Sequence, residues 1–306
     1  MFLLSERMSS IIIAGGFNAE TSITDIEVLT GNLESKQIKH LPHKINGFSM
    51  VQHNGTILIC GGKHNLQKCL QLDQGTWKWH STLNKERCFH SVVATQEATF
   101  LFGGMNSKAT YEYLPKDSKT WLMGKSEIPE GFEEGCAIPL KSGQEILLMG
   151  GFKTEKRVLI FNVTDHSFKV SPLQLNYGRI GHRCCYIPNT KKIMITGGAY
   201  TEILDTKNGS VTIASPMKSN RNNHGMGIIT NNGEDRLAVF GGYDGLNLTY
   251  LDSVEIYNNM KEKWETSNIK LKGKKLAFGF LTIKLGDVNW NSERADHSEV
   301  ERNIAP

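Results

Sequence analysis

The chain has 306 residues, with 35 Lys and Arg against 31 Asp and Glu for a formal net charge of +4, and 39% of its residues are hydrophobic. That length buries a sizeable core in one all-β domain or in two ordinary ones, and so even a charge balance gives no footprint for nucleic acid or another polyanion. No stretch approaches the roughly 18 apolar residues of a membrane span, and the opening MFLLSERM holds too short an apolar core for a signal peptide, so a soluble protein is expected.

The cysteines at 60, 69, 88, 136, 184 and 185 lie in apolar runs. They show neither the CxxC spacing of a zinc site nor the density of a disulfide scaffold, which points to a reducing, cytoplasmic setting. Asn-x-Ser/Thr triplets beginning at Asn54, Asn162, Asn208 and Asn247 argue for secretion, but the pattern is short enough to arise by chance.

The first element, IIIAGGF (11–17), runs three isoleucines into paired glycines, and the device recurs in chain order as ILICGGK, TFLFGGM, ILLMGGF, IMITGGA and LAVFGGY. The pairs are Gly15-Gly16, Gly61-Gly62, Gly103-Gly104, Gly150-Gly151, Gly197-Gly198 and Gly241-Gly242, spaced by 46, 42, 47, 47 and 44 residues. Such a period is that of propeller repeats. After each pair comes a second strand: DIEVL, KCLQLD, TYEYL, RVLIFNV, YTEILD or SVEIY. A third strand follows, marked by an aromatic in four copies (Trp77 with Trp79, Trp121, Phe168 and Trp264) and plain in KQIKHL and SVTIA. A last strand, such as GFSMV, CFHSVVA, GCAIPL, HRCCYI or HGMGII, precedes the next pair.

Each unit therefore reads as a four-stranded antiparallel sheet. Its GlyGly strand is apolar at successive positions and must be covered on both faces, as radial stacking of sheets provides. The glycines fit a point where a buried strand leaves its sheet and neighbouring backbone comes close. The first GlyGly strand has no room before it for the strand that precedes each later one, whereas LAFGFLTIKL (276–285) is left over after the sixth unit. That strand is expected to complete the first sheet and close a six-bladed all-β ring spanning residues 1–285.

From Ile11 to Leu285 the chain resembles the kelch repeat. The sixth copy carries the likeness most fully, with GlyGly, then Tyr257, then Trp264. The departures, Phe168 in the fourth unit and no aromatic in the first and fifth, suggest weaker packing between those blades. The resemblance implies a recognition surface: kelch propellers often follow BTB and BACK domains in adaptors of cullin-type ubiquitin ligases, and others bind actin. Nothing in this sequence resembles a BTB or BACK domain, and fold does not fix function. The expected partner is a protein or peptide, with no cofactor, nucleic acid or membrane.

Three inner strands open with Arg-x-x-His: Arg87 to His90, Arg179 to His182 and Arg221 to His224. One reading makes these residues braces within the repeat. A second brings the three histidines onto a metal, although the blades concerned are unevenly spaced and no acidic partner recurs. A third aims the arginines into the channel to pair with a partner's carboxylates or phosphates, which suits their bidentate geometry. The resemblance places the partner surface on the loops entering the inner strands and on those just after GlyGly. The first set carries Lys44, Asn46, Lys85, Arg87, Glu130, Glu133, Glu134, Tyr177, Arg179, Arg183, Asn220, Arg221, Asn223, Lys272, Lys274 and Lys275. The second carries Phe17, His64, Asn106, Phe152, Tyr200 and Tyr243. Together they describe a positive ring with one acidic sector, suited to an acidic or phosphorylated segment.

Related propellers include a copper oxidase, sialic-acid epimerases and iron-dependent specifier proteins, so a metal-dependent or small-molecule enzyme at the channel mouth is the competing class. Against it, the sequence offers no nucleophile with a spaced base, and each GlyGly ends a strand and opens no helix. The polar segment 286–306 is expected to be mobile and to add little to the ring.

Overall fold

Six four-stranded antiparallel sheets build the structure, and the GlyGly strand is second from the inside in each. The protein is described here from a computed structural model covering residues 9–29, 35–37, 39–231 and 233–284. The segment 286–306, read from sequence as a mobile tail, lies outside the described residues. Blade 6 shows the repeating order: inner strand Gly225–Asn231, GlyGly strand Glu234–Asp244, third strand Thr249–Asn258 and outer strand Lys263–Lys270.

Both faces of each GlyGly strand are covered because successive side chains enter different cores. In blade 1, Ile11 and Ile13 join Ala238 and Phe240 of blade 6, whereas Ile12 and Ala14 join Ile57 and Ile59 of blade 2. Each fully buried isoleucine contributes roughly 1.5–3 kcal/mol, so the apolar runs both specify the strands and bind blade to blade.

The outer-strand aromatics divide. Trp264 is buried edge-on against Tyr257 at 5.2 Å, and buried Trp121 donates to Ser81 Oγ at 3.0 Å, while Trp79 faces solvent. Phe168 takes the aromatic place in the fourth blade, packing with Phe161 at 4.9 Å and Tyr111 at 5.5 Å in an apolar cluster shared by blades 3 and 4.

The leftover strand closes the ring as expected. Gly279–Lys284 pairs antiparallel with Ser9–Ala14, placing Leu281 opposite Ile12 and Phe280 opposite Ile13. Inner strands of all successive blades touch around the channel, including those of blades 6 and 1.

Each GlyGly marks where the chain entering the next blade's inner strand crosses. Gly62 N–H donates to the Arg87 carbonyl at 3.0 Å, and a Cβ on Gly61, at φ +65°, would stand 2.6 Å from that same oxygen. Only glycine fits both the conformation and the gap.

Candidate functional site at the channel mouth

Main-chain bonds fuse the two predicted loop sets into one face. Phe17 N–H donates to Leu276 at 2.9 Å, Lys63 to Asn46 at 2.9 Å, Met105 to Cys88 at 2.8 Å, Phe152 to Glu133 at 2.8 Å and Tyr243 to Asn222 at 2.9 Å. Inside these lies a closed belt. Gly47 N–H donates to Ala277 O, Ala277 to Asn223, Asn223 to Gly181, Gly181 to Glu134, Glu134 to Phe89 and Phe89 back to Gly47, all between 2.7 and 3.0 Å. All six residues have positive φ, from 51° to 64°, which turns each N–H toward the preceding blade.

The expectation that Arg87, Arg179 and Arg221 reach a partner is corrected by their burial. Arg87 Nη2 lies 2.8 Å from Glu112, Arg179 Nη2 2.6 Å from Glu202 and Arg221 Nη2 2.9 Å from Glu255, with both members of each pair sealed from solvent. Lys275 is withdrawn likewise, onto Glu27 at 2.5 Å. Each arginine also donates to the first glycine carbonyl of its blade, Gly103, Gly197 or Gly241. The glutamates in turn accept N–H bonds from the linker between blades, Glu112 from Asn84 and Lys85, and Glu255 from Lys218 and Ser219. Desolvation lowers the guanidinium pKa values, and the facing carboxylate holds the charge in place.

Blades 2 and 4 show the alternative solution. The carbonyl accepting from the second glycine belongs to Ile45 in blade 2 and Phe132 in blade 4, where the other blades have Arg or Lys. The residues in register with the glutamates are there Leu70 and Leu159. Cation and glutamate are replaced together by an apolar pair, Ile45 with Leu70 and Phe132 with Leu159, each within one apolar cluster.

The histidines do not converge on a metal site, and among the described residues no group of three or more His, Cys, Asp or Glu is placed to hold one. His90 and His182 pack under the GlyGly of the preceding blade. A Cβ on Gly61 would meet the His90 ring at 2.7 Å, and one on Gly150 the His182 ring at 2.7 Å. His90 Nε2 bonds Ser49 Oγ at 2.5 Å and His224 Nε2 bonds Thr196 Oγ1 at 2.9 Å. Burial pushes His90 and His182 down to about 3, with nearby arginine charge adding to the effect, so both rings are neutral.

What remains open at the centre is a cavity of about 230 Å³ lined from all six blades, with Phe48, Phe89, Phe278 and Phe280 among its walls. Arg183 is the cation on this wall, half-buried, with Nη1 donating to the His182 carbonyl at 2.9 Å. Glu134 faces the same space, its carboxyl raised by burial and drawn back chiefly by the Asn223 side chain.

Around the mouth, Lys44 and Lys85 are exposed as expected, whereas Asn46 is buried, donating to Ser22 Oγ at 2.7 Å. Phe152 is exposed beneath Lys108 Nζ at 5.0 Å, and exposed Tyr200 stacks on Tyr177 at 3.8 Å with the rings 3° from parallel. Tyr243 and Phe17 are half-buried and both pack on Tyr250, at 5.2 and 6.1 Å. Asn220 is half-buried. The acidic sector is partly neutralised, Glu133 by Lys108 at 2.7 Å and Glu130 by Arg157 at 2.9 Å.

Two features escaped the sequence reading. The GlyGly hairpin of blade 6 runs on past the glycines to Asp244, whose carboxylate accepts from Leu246 N, Asn247 N and Asn247 Nδ2, holding Leu246 and Leu248 74% and 76% exposed at the tip. Its signal was an unusually apolar Leu-Asn-Leu where a polar turn belongs. Four of the six cysteines, whose spacing shows no disulfide scaffold, are bonded as Cys60–Cys69 and Cys136–Cys184. Cys60 and Cys69 oppose each other across two strands of blade 2, and the second pair spans two blades, a proximity that linear spacing does not display.

Comparison with known proteins agrees with this architecture. Residues 235–267 match the model of the kelch motif. The chain is 27% identical over 134 residues to spermatocyte protein spe-26 of Caenorhabditis elegans, covering 43% of this chain and 20% of that protein. It is 24% identical over 167 residues to kelch-like protein 41b of Danio rerio, covering 50% of this chain and 27% of that protein. The matched regions thus span about a fifth to a quarter of these relatives' lengths. Among solved structures, that of YjhT superposes with a TM-score of 0.66 at 14% identity, over 79% of this chain and 88% of that one, a likeness of fold. With six GlyGly blades, a ring closed by its C-terminal strand and a kelch motif matched in the sixth blade, the chain is a kelch-repeat β-propeller.

Proposed function

We propose that the protein is a recognition module that binds an acidic or phosphorylated segment of a partner protein at the channel mouth, without chemistry of its own. A kelch propeller supports a protein-binding or scaffold role in general. The observation that carries the specific reading is Arg183 on the wall of an aromatic cavity, with exposed Lys63 over the Phe89 ring of the same cavity at 5.6 Å and exposed Lys44 and Lys85 on the loops that enter blades 2 and 3. A guanidinium in a partly desolvated recess is worth more to a carboxylate or phosphate than one in bulk water. Exposed Tyr200 and Phe152 and the Leu246–Leu248 tip supply the apolar anchors of a protein interface.

The test is quantitative capture from cell extract with the native propeller and with Arg183→Glu combined with Lys44→Glu and Lys85→Glu, folding being verified for both. Loss of partners by the variant, and loss from the native protein after phosphatase treatment of the extract, supports the reading and separates phosphate from carboxylate recognition. Equal capture by both proteins would remove the mouth from consideration. Cullin-ligase components or actin among the captured proteins would distinguish a substrate adaptor from a cytoskeletal scaffold.

A further inference from the structure

The channel wall carries one covalent link between blades. Cys136 lies on the inner strand of blade 4 and Cys184 on that of blade 5, with Cα atoms 6.1 Å apart and sulfurs bonded, and both residues line the cavity that opens at the mouth. The other disulfide joins neighbouring strands inside blade 2, where Cys60 and Cys69 are sealed among Leu58, Leu101, Leu114 and Trp121. The pair on the cavity wall keeps some exposure, Cys136 at 8% and Cys184 half-buried, whereas Cys60 at 2% and Cys69 at 0% are enclosed in the core.

We infer that Cys136–Cys184 is a reversible thiol–disulfide couple built into the binding mouth, opened by small dithiols and closed by disulfide oxidants, whereas Cys60–Cys69 is structural. Exchange requires a thiolate to reach a sulfur, and access therefore separates the two bonds. A thiolate of the dithiol attacks one sulfur, and the other leaves as thiolate and takes a proton. The second thiol of the reagent then resolves the mixed disulfide. Two protein thiols and one cyclic disulfide result, and the reverse reaction consumes an oxidised dithiol.

The adjacent Cys185 does not compete, because burial pushes its thiol up to about 12 and keeps it protonated. Buried Cys88 is raised in the same direction.

The position gives the couple its consequence. Cys184 directly follows Arg183, and Cys136 stands two residues after Glu134, so the bond ties together the strands that present the two charged groups of the cavity. Opening it frees Arg183 and Glu134 to separate while the main-chain belt still holds the blades, and partner affinity becomes redox-dependent. That last consequence rests on the binding role proposed above; the chemistry of the couple does not.

The experiment is a reduction time course on folded protein prepared without reductant, using dithiothreitol, iodoacetamide trapping and peptide mass mapping. Cys136 and Cys184 are expected to gain label together, about tenfold or more faster than Cys60 and Cys69, with the circular dichroism unchanged. Oxidised dithiothreitol should then restore the same pair. Labelling of both cysteines before any reductant is added overturns the proposal, as does their protection until Cys60 and Cys69 open with unfolding. The double variant Cys136→Ser with Cys184→Ser should lack the fast phase; if it fails to fold, the wild-type time course still decides.

Discussion

Gly47 donates its N–H to the carbonyl of Ala277 at 2.8 Å, joining the linker that enters blade 2 to the linker that enters the closing strand of blade 1. The bond belongs to the six-membered belt and lies at the one place where the belt unites the two ends of the fold. A chain stopped after residue 276 loses this bond together with the strand Gly279–Lys284 that covers Ser9–Ala14. It should fail to unfold cooperatively and should bind a hydrophobic dye, because blade 1 then exposes an edge and an apolar face. A sharp thermal transition in the truncated chain would show that strand closure is dispensable.

Breaking one member of a buried ion pair should cost more than replacing both. Glu255→Ala leaves Arg221 uncompensated and frees the Lys218 and Ser219 N–H groups, so a loss of about 3–5 kcal/mol is expected by urea denaturation. Arg87→Ile combined with Glu112→Leu copies the Ile45–Leu70 arrangement of blade 2 and should recover a substantial part of the loss seen in Arg87→Ile alone. Recovery should be incomplete, since the Asn84 and Lys85 N–H groups lose their acceptor.

The glycine pairs are not equivalent. A Cβ on Gly103 would overlap the Phe132 carbonyl oxygen at a residue with φ +63°, whereas one on Gly198, with φ +65°, meets nothing within 4 Å. Gly198→Ala should therefore cost only the conformational penalty of roughly 1–2 kcal/mol, and Gly103→Ala considerably more, read as the difference in their thermal midpoints.

The neutral buried histidines make stability fall on the acid side. His182 titrates at about 3 in the folded chain against an ordinary 6.5, so below pH 6.5 the unfolded state binds the extra proton. Stability is intact above pH 6.5 and declines as the pH drops toward 3, by up to about 1.4 kcal/mol per pH unit for this ring. His182→Phe, which installs the residue found at the equivalent places Phe48 and Phe278, should flatten the profile between pH 6.5 and 5. An unchanged slope would mean that His182 does not contribute to it.

The leucine tip of blade 6 should matter for binding and not for folding. Leu246→Ser with Leu248→Ser removes two exposed side chains and should leave the thermal midpoint within experimental error while reducing capture of any partner that covers the tip. A lowered midpoint would show instead that the tip packs on the propeller.

The ring was legible because its signal is repetition: apolar runs ending in GlyGly report strands covered on both faces, and the unmatched strand after the sixth run implies closure. The site was less so. Arg87, Arg179 and Arg221 carry the same side chain as Arg183, yet the first three enter the blade to meet a glutamate two positions from the GlyGly register, and only Arg183 follows the channel. An Arg-x-x-His motif does not state that each arginine has a glutamate waiting across the sheet. That information lay in the second strands, as Glu112, Glu202 and Glu255, and in the simultaneous loss of charge at Ile45 with Leu70 and at Phe132 with Leu159. The disulfides were hidden for a similar reason, since Cys136 and Cys184 become neighbours only when two blades meet.

The belt at the mouth is made by main-chain atoms, and its six stations are occupied by Gly47, Phe89, Glu134, Gly181, Asn223 and Ala277, residues with little in common except the turn they make. Geometry and chemistry are therefore separately encoded at this spot. The loops above inherit a fixed frame, while what each station presents is open to exchange among residues that accept the turn. A propeller so constructed acquires a new ligand preference by changing single side chains on a rim whose shape does not depend on them.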